Sequence, residues 1–249
     1  MNIVKNILGR VFAIWAMIMF VGTMILMYIP FLLLSYFKKD PIKTTRFIRI
    51  SRIWMRVFLP LAGCPMKVKG EENFEKDQNY IVVCNHNSFL DVPLSSPFIP
   101  GNGNKTIAKS ELAKVPVFGL IYKTGSVLVN RKSDQSRKES YQKMKDVLQM
   151  GLHMCIYPEG TRNKSEKALN EFHLGAFRLA KETGKPLIPG IIFNTRKVMP
   201  ANKIFFFWPT KIGIHFLSPI PVTESDTPES LKEKAYQAMK TYIESKPTI

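Results

Sequence analysis

YIVVCNHNSFLD, residues 80–91, joins a strand to a helix through a polar turn. Tyr80 to Cys84 is a short apolar run rich in β-branched residues and bounded by polar ones, the pattern of a buried strand. Asn85-His86-Asn87-Ser88 is the turn. Phe89 to Leu94 reads as the opening of a helix, with Ser88 as N-cap and Asp91 as its capping-box partner. His86 and Asp91 are five residues apart, so neither a continuous helix nor a continuous strand puts them on one face. Only a bend brings them together. At such a junction the carboxylate accepts the imidazole Nδ1 proton and leaves Nε2 as a base beyond the end of the strand. A turn histidine beside a helix-capping aspartate fits the same short pattern, so the rest of the chain decides between the two readings.

Downstream, strands and helices alternate. Thr106 to Ala108, Ser126 to Val129, Met154 to Tyr157 and Leu187 to Phe193 read as strands, and Ile212, Ile214 and Phe216 alternate with other residues in a last one. Ser133 or Asp134 caps a helix that runs to about Met150 and ends at Gly151. Phe172 to Thr183 is helical and closed by Gly184, and Thr227 caps a final helix with Pro228 at its first position. Upstream, Met66 to Gly70 reads as an edge strand. The alternation predicts an α/β fold with a largely parallel central sheet flanked by helices. Ligands bind such sheets beyond the carboxyl ends of the strands, so His86, Arg131 and Arg162, each just past a strand, are expected to converge on one cleft.

The N-terminal stretch differs. Val11 to Phe37 has no charged residue, and as a helix it would run about 40 Å, longer than a hydrocarbon core of about 30 Å. It is expected to be a membrane-embedded anchor. The apolar run is too long for a cleavable signal peptide and lacks a clear small-x-small cleavage site. Pro30 and Gly22-Thr23 leave open whether it spans the bilayer tilted or turns back as a hairpin. Lys38, Lys39, Lys43, Arg46, Arg49, Arg52 and Arg56 outnumber Lys5 and Arg10 on the other side, which places the body of the protein on the cytoplasmic side. The arginines at 46, 49, 52 and 56 recur at helical steps opposite Phe47, Ile50, Trp54 and Val57, the pattern of a basic amphipathic helix at a headgroup surface. Residues 1–62 are therefore expected to form the anchor and amphipathic helix, and 63–249 the catalytic domain. Phe205-Phe206-Phe207-Trp208 fits either a further lipid contact or a core strand.

Composition narrows the partners. Thirty-six Lys and Arg against 19 acidic residues give a formal charge of +17, which calls for anionic partners. No nucleic-acid module is visible, and the basic density lies beside the apolar run, which favours lipid over nucleic acid. Cys64, Cys84 and Cys155 form no C-x-x-C pair and the four histidines no H-x-x-x-H pair, so neither a disulfide framework nor a metal site is expected.

Several blocks, in order, carry a family resemblance. Asn85-His86-Asn87-Ser88-Phe89-Leu90-Asp91 resembles the N-H-x-S-x-x-D block of the glycerolipid acyltransferase family, whose best-known members are 1-acylglycerol-3-phosphate acyltransferases. Ala108-Lys109-Ser110-Glu111-Leu112 with Pro116-Val117-Phe118-Gly119 is similar to its next stretch, Gly125 to Arg131 to its second block, Tyr157-Pro158-Glu159-Gly160-Thr161-Arg162 to its third and Pro186 to Gly190 to its fourth. The likeness runs from about Met66 to Pro221. Tyr157 stands where Phe is commoner, Asn163 where Ser often follows, and Gly190 where a β-branched residue is usual.

The resemblance implies transfer of a fatty acyl group from acyl-CoA or acylated acyl carrier protein to lysophosphatidic acid, giving phosphatidic acid in phospholipid biosynthesis, with no cofactor. His86 and Asp91 take the catalytic role. Arg162 grips the acceptor phosphate through its planar fork, helped by Arg131 and Lys109, with Glu159, Gly160 and Thr161 in the same binding site, Glu159 fitting equally a structural place that holds Arg162 or a backbone N–H. Ser88 has no G-x-S-x-G elbow around it and reads as a cap, not an acyl carrier. Another lysolipid acceptor, or a non-catalytic protein bound to anionic membrane, are the competing readings.

Overall fold

The computed structural model describes residues 3–130 and 132–248. Helices α1 (Ile3–Phe31) and α2 (Ile42–Leu61) precede β1 (Met66–Lys69) and β2 (Ile81–Cys84). Then come α3 (Asp91–Ser95), β3 (Asn104–Lys109), α4 (Phe118–Gly125), β4 (Ser126–Val129), α5 (Asp134–Gln149) and β5 (His153–Ile156). The chain closes with α6 (Gly175–Thr183), β6 (Leu187–Phe193), α7 (Thr195–Val198), β7 (Ile212–Phe216) and α8 (Pro228–Glu244). The seven strands form one sheet in the order β1-β7-β6-β2-β5-β3-β4, parallel throughout except between β6 and β7.

β2 sits in the middle because it is apolar on both faces. Val82 and Cys84 pack with α1, α2 and α3, while Ile81 and Val83 pack with α5, α6 and α8. Each fully buried aliphatic side chain contributes about 1.5–3 kcal/mol, so the strand is locked in place and the turn after it emerges at the carboxyl edge. The chain leaves β2 into α3 on one face and β5 into α6 on the other. Such opposed exits open a crevice between neighbouring strands.

Local signals explain most boundaries. Ser133 Oγ accepts from Ser136 N at the start of α5, and Thr227 forms a reciprocal capping box with Ser230 at the start of α8. Two starts are later than sequence spacing suggests. α6 begins at Gly175 and not near Phe172, because the backbone just before it is held by hydrogen bonds to the third block, including His173 N to the Pro158 carbonyl. α3 begins at Asp91 because Ser88 closes a turn of its own, its Oγ accepting from Leu90 N.

α1 passes unbroken through Gly22-Thr23, and after Pro30 it widens into a short π-helical segment, Leu32–Tyr36. Among the described residues it is one helix long and apolar enough to cross a membrane. It lies antiparallel to α2: Phe31 meets Phe47, Trp54 Nε1 donates to Thr23 Oγ1 at 2.9 Å, and Trp15 Nε1 donates to the Leu61 carbonyl at 2.9 Å. Gly9, Ala13, Ala16 and Thr23 face inward, and from Val11 onward the opposite stripe, including Val11, Ile14, Ile18 and Ile25, is exposed and apolar. Residues of α1, α2 and the sheet share one hydrophobic core. The basic face of α2 is divided in its roles. Arg49 and Arg56 are exposed, whereas Arg52 turns inward and donates to the Pro97 and Ile99 carbonyls at 2.6 and 2.9 Å.

The start of β5 is tied to β2 by a neutral histidine. His153 is buried, its Nδ1 accepts from Tyr80 N at 3.0 Å, and burial holds its pKa at about 4. Burial, then Lys69 and Lys67, hold His215 at about 4 as well. An unfolded histidine titrates near 6.5, so between the two values the unfolded chain binds more protons and stability falls as the pH drops. Charging His153 fully costs about 3 kcal/mol, of which about 2 is lost by pH 5. The urea midpoint is therefore expected to fall between pH 7 and pH 5; a constant midpoint would contradict the neutral-histidine assignment.

Candidate active site

The turn after β2 is held on every side. Asn85 replaces a strand partner, its Oδ1 accepting from Ile192 N at 2.7 Å and its Nδ2 donating to the Ile192 carbonyl at 3.1 Å. The His86 N–H donates to Glu159 Oε1 at 2.7 Å, and the His86 carbonyl accepts from Asn163 N at 2.6 Å. Both ends of that residue are thus clipped to the loop after β5. The bend then lets Asp91 reach back: its Oδ2 accepts from His86 Nδ1 at 2.8 Å, Asn87 N at 2.5 Å and Ser88 N at 2.7 Å. Asp91 is fully buried, while the His86 side chain keeps 19% of its exposure. With Nδ1 bonded to the carboxylate, Nε2 is the ring nitrogen that remains to accept a proton. The imidazole lies over Tyr157, with ring centroids 4.5 Å apart. Tyr157 Oη is 2.6 Å from Ser95 Oγ, and burial pushes its pKa well up, so the ring floor is neutral. Ser95 thus supplies the partner that a tyrosine, unlike a phenylalanine, needs there.

Ser88 is fully buried, and its Oγ donates to the Met199 carbonyl at 2.9 Å while accepting from Leu90 N. It has no opening to a substrate and serves the turn alone.

The third block forms a tight turn at the carboxyl end of β5. Gly160 N donates to the Tyr157 carbonyl, with Pro158 and Glu159 between them, and Gly160 takes φ +68°. A Cβ there would stand 2.7 Å from the His173 ring, so both conformation and space require glycine. Arg162 follows, its guanidinium carbon 3.6 Å from the centre of the Phe89 ring, on the same turn that carries His86. Phe89 is 68% exposed and acts as a platform for the guanidinium. Thr161 beside it is exposed.

Not every expected binding residue faces the crevice. Glu159 is buried with both oxygens committed, one to His86 N and the other to Asn170 N at 3.0 Å. Burial raises its pKa while those two N–H groups oppose the rise. Of its two expected places the structural one holds: Glu159 clamps the His86 loop and is not a binding group, because a buried carboxylate beside two otherwise unpaired backbone donors satisfies both. Lys109 is the last residue of β3 and exposed, two strands from β2 and so about 10 Å to the side. Arg131 lies outside the described residues.

Arg196 is absent from the residues expected in the site, yet it ties the two loops together. Its Nη2 donates to Asn87 Oδ1 at 2.9 Å and to the Asn163 carbonyl at 3.3 Å, and its Nη1 to the Ser165 carbonyl at 2.7 Å. A usable signal was present, since it follows the carboxyl end of β6 as Arg162 follows β5.

A histidine base steered by a buried carboxylate, with a guanidinium stacked on the same turn, suits deprotonation of a hydroxyl on an anionic substrate. Residues 65–193, just over half of the chain, match the family model described as Acyltransferase. The chain belongs to that family. Every site residue named above except Arg196 and Met199 falls inside the family segment. Its relatives include the 1-acyl-sn-glycerol-3-phosphate acyltransferase of Borreliella burgdorferi, 32% identical over 63% of this chain and 64% of the relative. That of Cocos nucifera is 30% identical over 66% and 53%, and the alpha form of Homo sapiens 29% identical over 74% and 64%. The chain thus spans between about half and just under two thirds of these family members. The crystal structure of the 1-acyl-sn-glycerophosphate acyltransferase PlsC from Thermotoga maritima superposes with a TM-score of 0.80, covering 96% of each chain at 24% identity, and so shares the fold.

Proposed function

We propose that this protein transfers a fatty acyl group from an acyl thioester to the sn-2 hydroxyl of 1-acylglycerol 3-phosphate, forming phosphatidic acid. The observation that carries the reading is the 2.8 Å contact of His86 Nδ1 with buried Asp91, on the turn whose Phe89 stacks with Arg162. His86 Nε2 takes the hydroxyl proton as the oxygen bonds to the thioester carbonyl carbon. The tetrahedral intermediate then expels the thiolate, which takes the proton from the imidazolium. Asp91 balances the positive ring while it exists. Arg162 binds the acceptor phosphate, helped by Arg131 of the second family block. Gly160 and Thr161 shape the turn that presents it. The mechanism needs no cofactor; the donor is acyl-CoA or acylated acyl carrier protein.

Residues 1–62 serve as the membrane anchor of a catalytic body formed by 63–249, on the cytoplasmic side, where the cluster from Lys38 to Arg56 meets anionic headgroups. Relatives named for lysophosphatidate acylation support this acceptor over a lyso-aminolipid or lysophospholipid. Purified protein, offered radiolabelled acyl-CoA or acylated acyl carrier protein with a panel of lysolipids, is expected to turn over lysophosphatidic acid fastest. No product from that acceptor would reject the assignment, and faster turnover of a lysolipid without a terminal phosphate would replace the acceptor.

A further inference from the structure

Beyond α1, a second exposed apolar feature lies on the path from the catalytic turn to the anchor. The segment from Met199 to Trp208 starts at the carbonyl that accepts from Ser88 Oγ and ends against α1, where Phe207 N donates to the Gly9 carbonyl at 2.9 Å. Of the four aromatics at 205–208, Phe206 and Phe207 are buried, Phe206 lying over Gly9 with no room for a Cβ. They are core. The outward tip lies one step earlier: Ile204 is 95% exposed and Phe205 is 45% exposed with φ +52°, a backbone state that bulky residues avoid.

The tip lies beside the first turns of α1. Lys203 Nζ donates to Asn6 Oδ1 at 3.1 Å and lies 4.0 Å over the Phe206 ring, which places the tip beside the first turns of α1. Ile3 and Arg10, three and four residues from Asn6, share its flank and are exposed. An apolar tip beside apolar residues of α1, bordered by Lys203 and Arg10, matches the acyl boundary beneath anionic headgroups. Two side chains are too small an area for a stable protein partner, which needs about 800 Å² from each side.

We propose that Ile204 and Phe205 form a second insertion point that enters an anionic bilayer beside α1 and holds the Met199–Phe207 segment, and with it the catalytic turn, against the lipid. The inference rests on α1 being lipid-facing and goes beyond it, and its first test does not depend on the acyl chemistry.

The three native cysteines are buried, so Ile204→Cys accepts an environment-sensitive thiol fluorophore at one place. Glu233→Cys on α8, across the sheet from α1, is the reference. With vesicles of zwitterionic and anionic phospholipid, the label at 204 is expected to shift to the blue and to be quenched by brominated acyl chains, while that at 233 stays unchanged. Equal responses at both positions, or none at 204, would overturn the proposal. The second test combines Ile204→Asp with Phe205→Asp. Turnover of lysolipid presented in vesicles should fall about tenfold, the loss that follows from roughly 1.4 kcal/mol of lipid affinity. A short-chain acceptor dissolved as monomers should be used at the wild-type rate. The same loss on both acceptors, or on neither, would also overturn it. Wild-type protein inactive on every lysolipid would refute the proposed reaction, and the labelling result would still decide the insertion.

Discussion

His86→Ala is expected to lower kcat for acyl transfer by about 10²- to 10⁴-fold, the usual contribution of a positioned general base. The protein should still fold and bind vesicles, because the Asp91 carboxylate keeps two of its three donors, Asn87 N and Ser88 N. Removal of the third costs about 1–3 kcal/mol of stability, which a denaturation curve will register alongside the rate. Asp91→Asn tests the partner. The amide oxygen can occupy the position of Oδ2 and keep the turn, but the imidazolium formed during transfer loses its counter-charge. If Asp91 acts only through the ring, His86→Ala combined with Asp91→Asn will be no slower than His86→Ala alone. Multiplying losses would give Asp91 a role apart from the ring, and a His86→Ala enzyme with most of its turnover intact would remove the imidazole from the reaction.

Arg162→Ala should raise KM for lysophosphatidic acid by roughly 10- to 100-fold, since a hydrogen bond to a charged group contributes about 1.5–3 kcal/mol. KM for the thioester should change little. Arg162→Lys restores the charge but neither the fork nor the flat contact with Phe89, so it should recover only part of the loss. An unphosphorylated monoacylglycerol acceptor separates binding from folding: if the guanidinium grips phosphate, the variant and wild type will differ little on that substrate. A comparable loss on both acceptors would mean that Arg162 supports the turn and not the ligand.

Within the site, legibility followed distance along the chain. The His86–Asp91 contact was readable because a single bend separates the two residues, and the block resemblance singled out the loop after β5. The role of Glu159 was not readable. Its glutamate side chain fits a ligand contact and a backbone clamp equally well, and only the position of His86 N, 73 residues earlier, selects the clamp. Arg196 was missed for a related reason: its three acceptors lie on two loops that meet only in the folded sheet. At 205–208 the letters suggested a row of aromatics, whereas burial puts Phe206 and Phe207 in the core and leaves Phe205, with Ile204 before it, at the tip.

Sequence alone determined the features closed within a few residues: the helix cap at Thr227, a cap at Ser133 or Asp134 that the structure resolves to Ser133, the bend at 85–91, and an N-terminal stretch too apolar for water. Their hydrogen bonds and periodicity depend on neighbouring side chains and need no knowledge of the remainder of the chain. Only the tertiary structure decided that β5 and β6 flank β2, that the loop after β5 clips both ends of His86, and that α1 lies on the sheet's own core. Strand order follows from burying both faces of β2 at once, a free energy shared across the whole core, so no local window carries it.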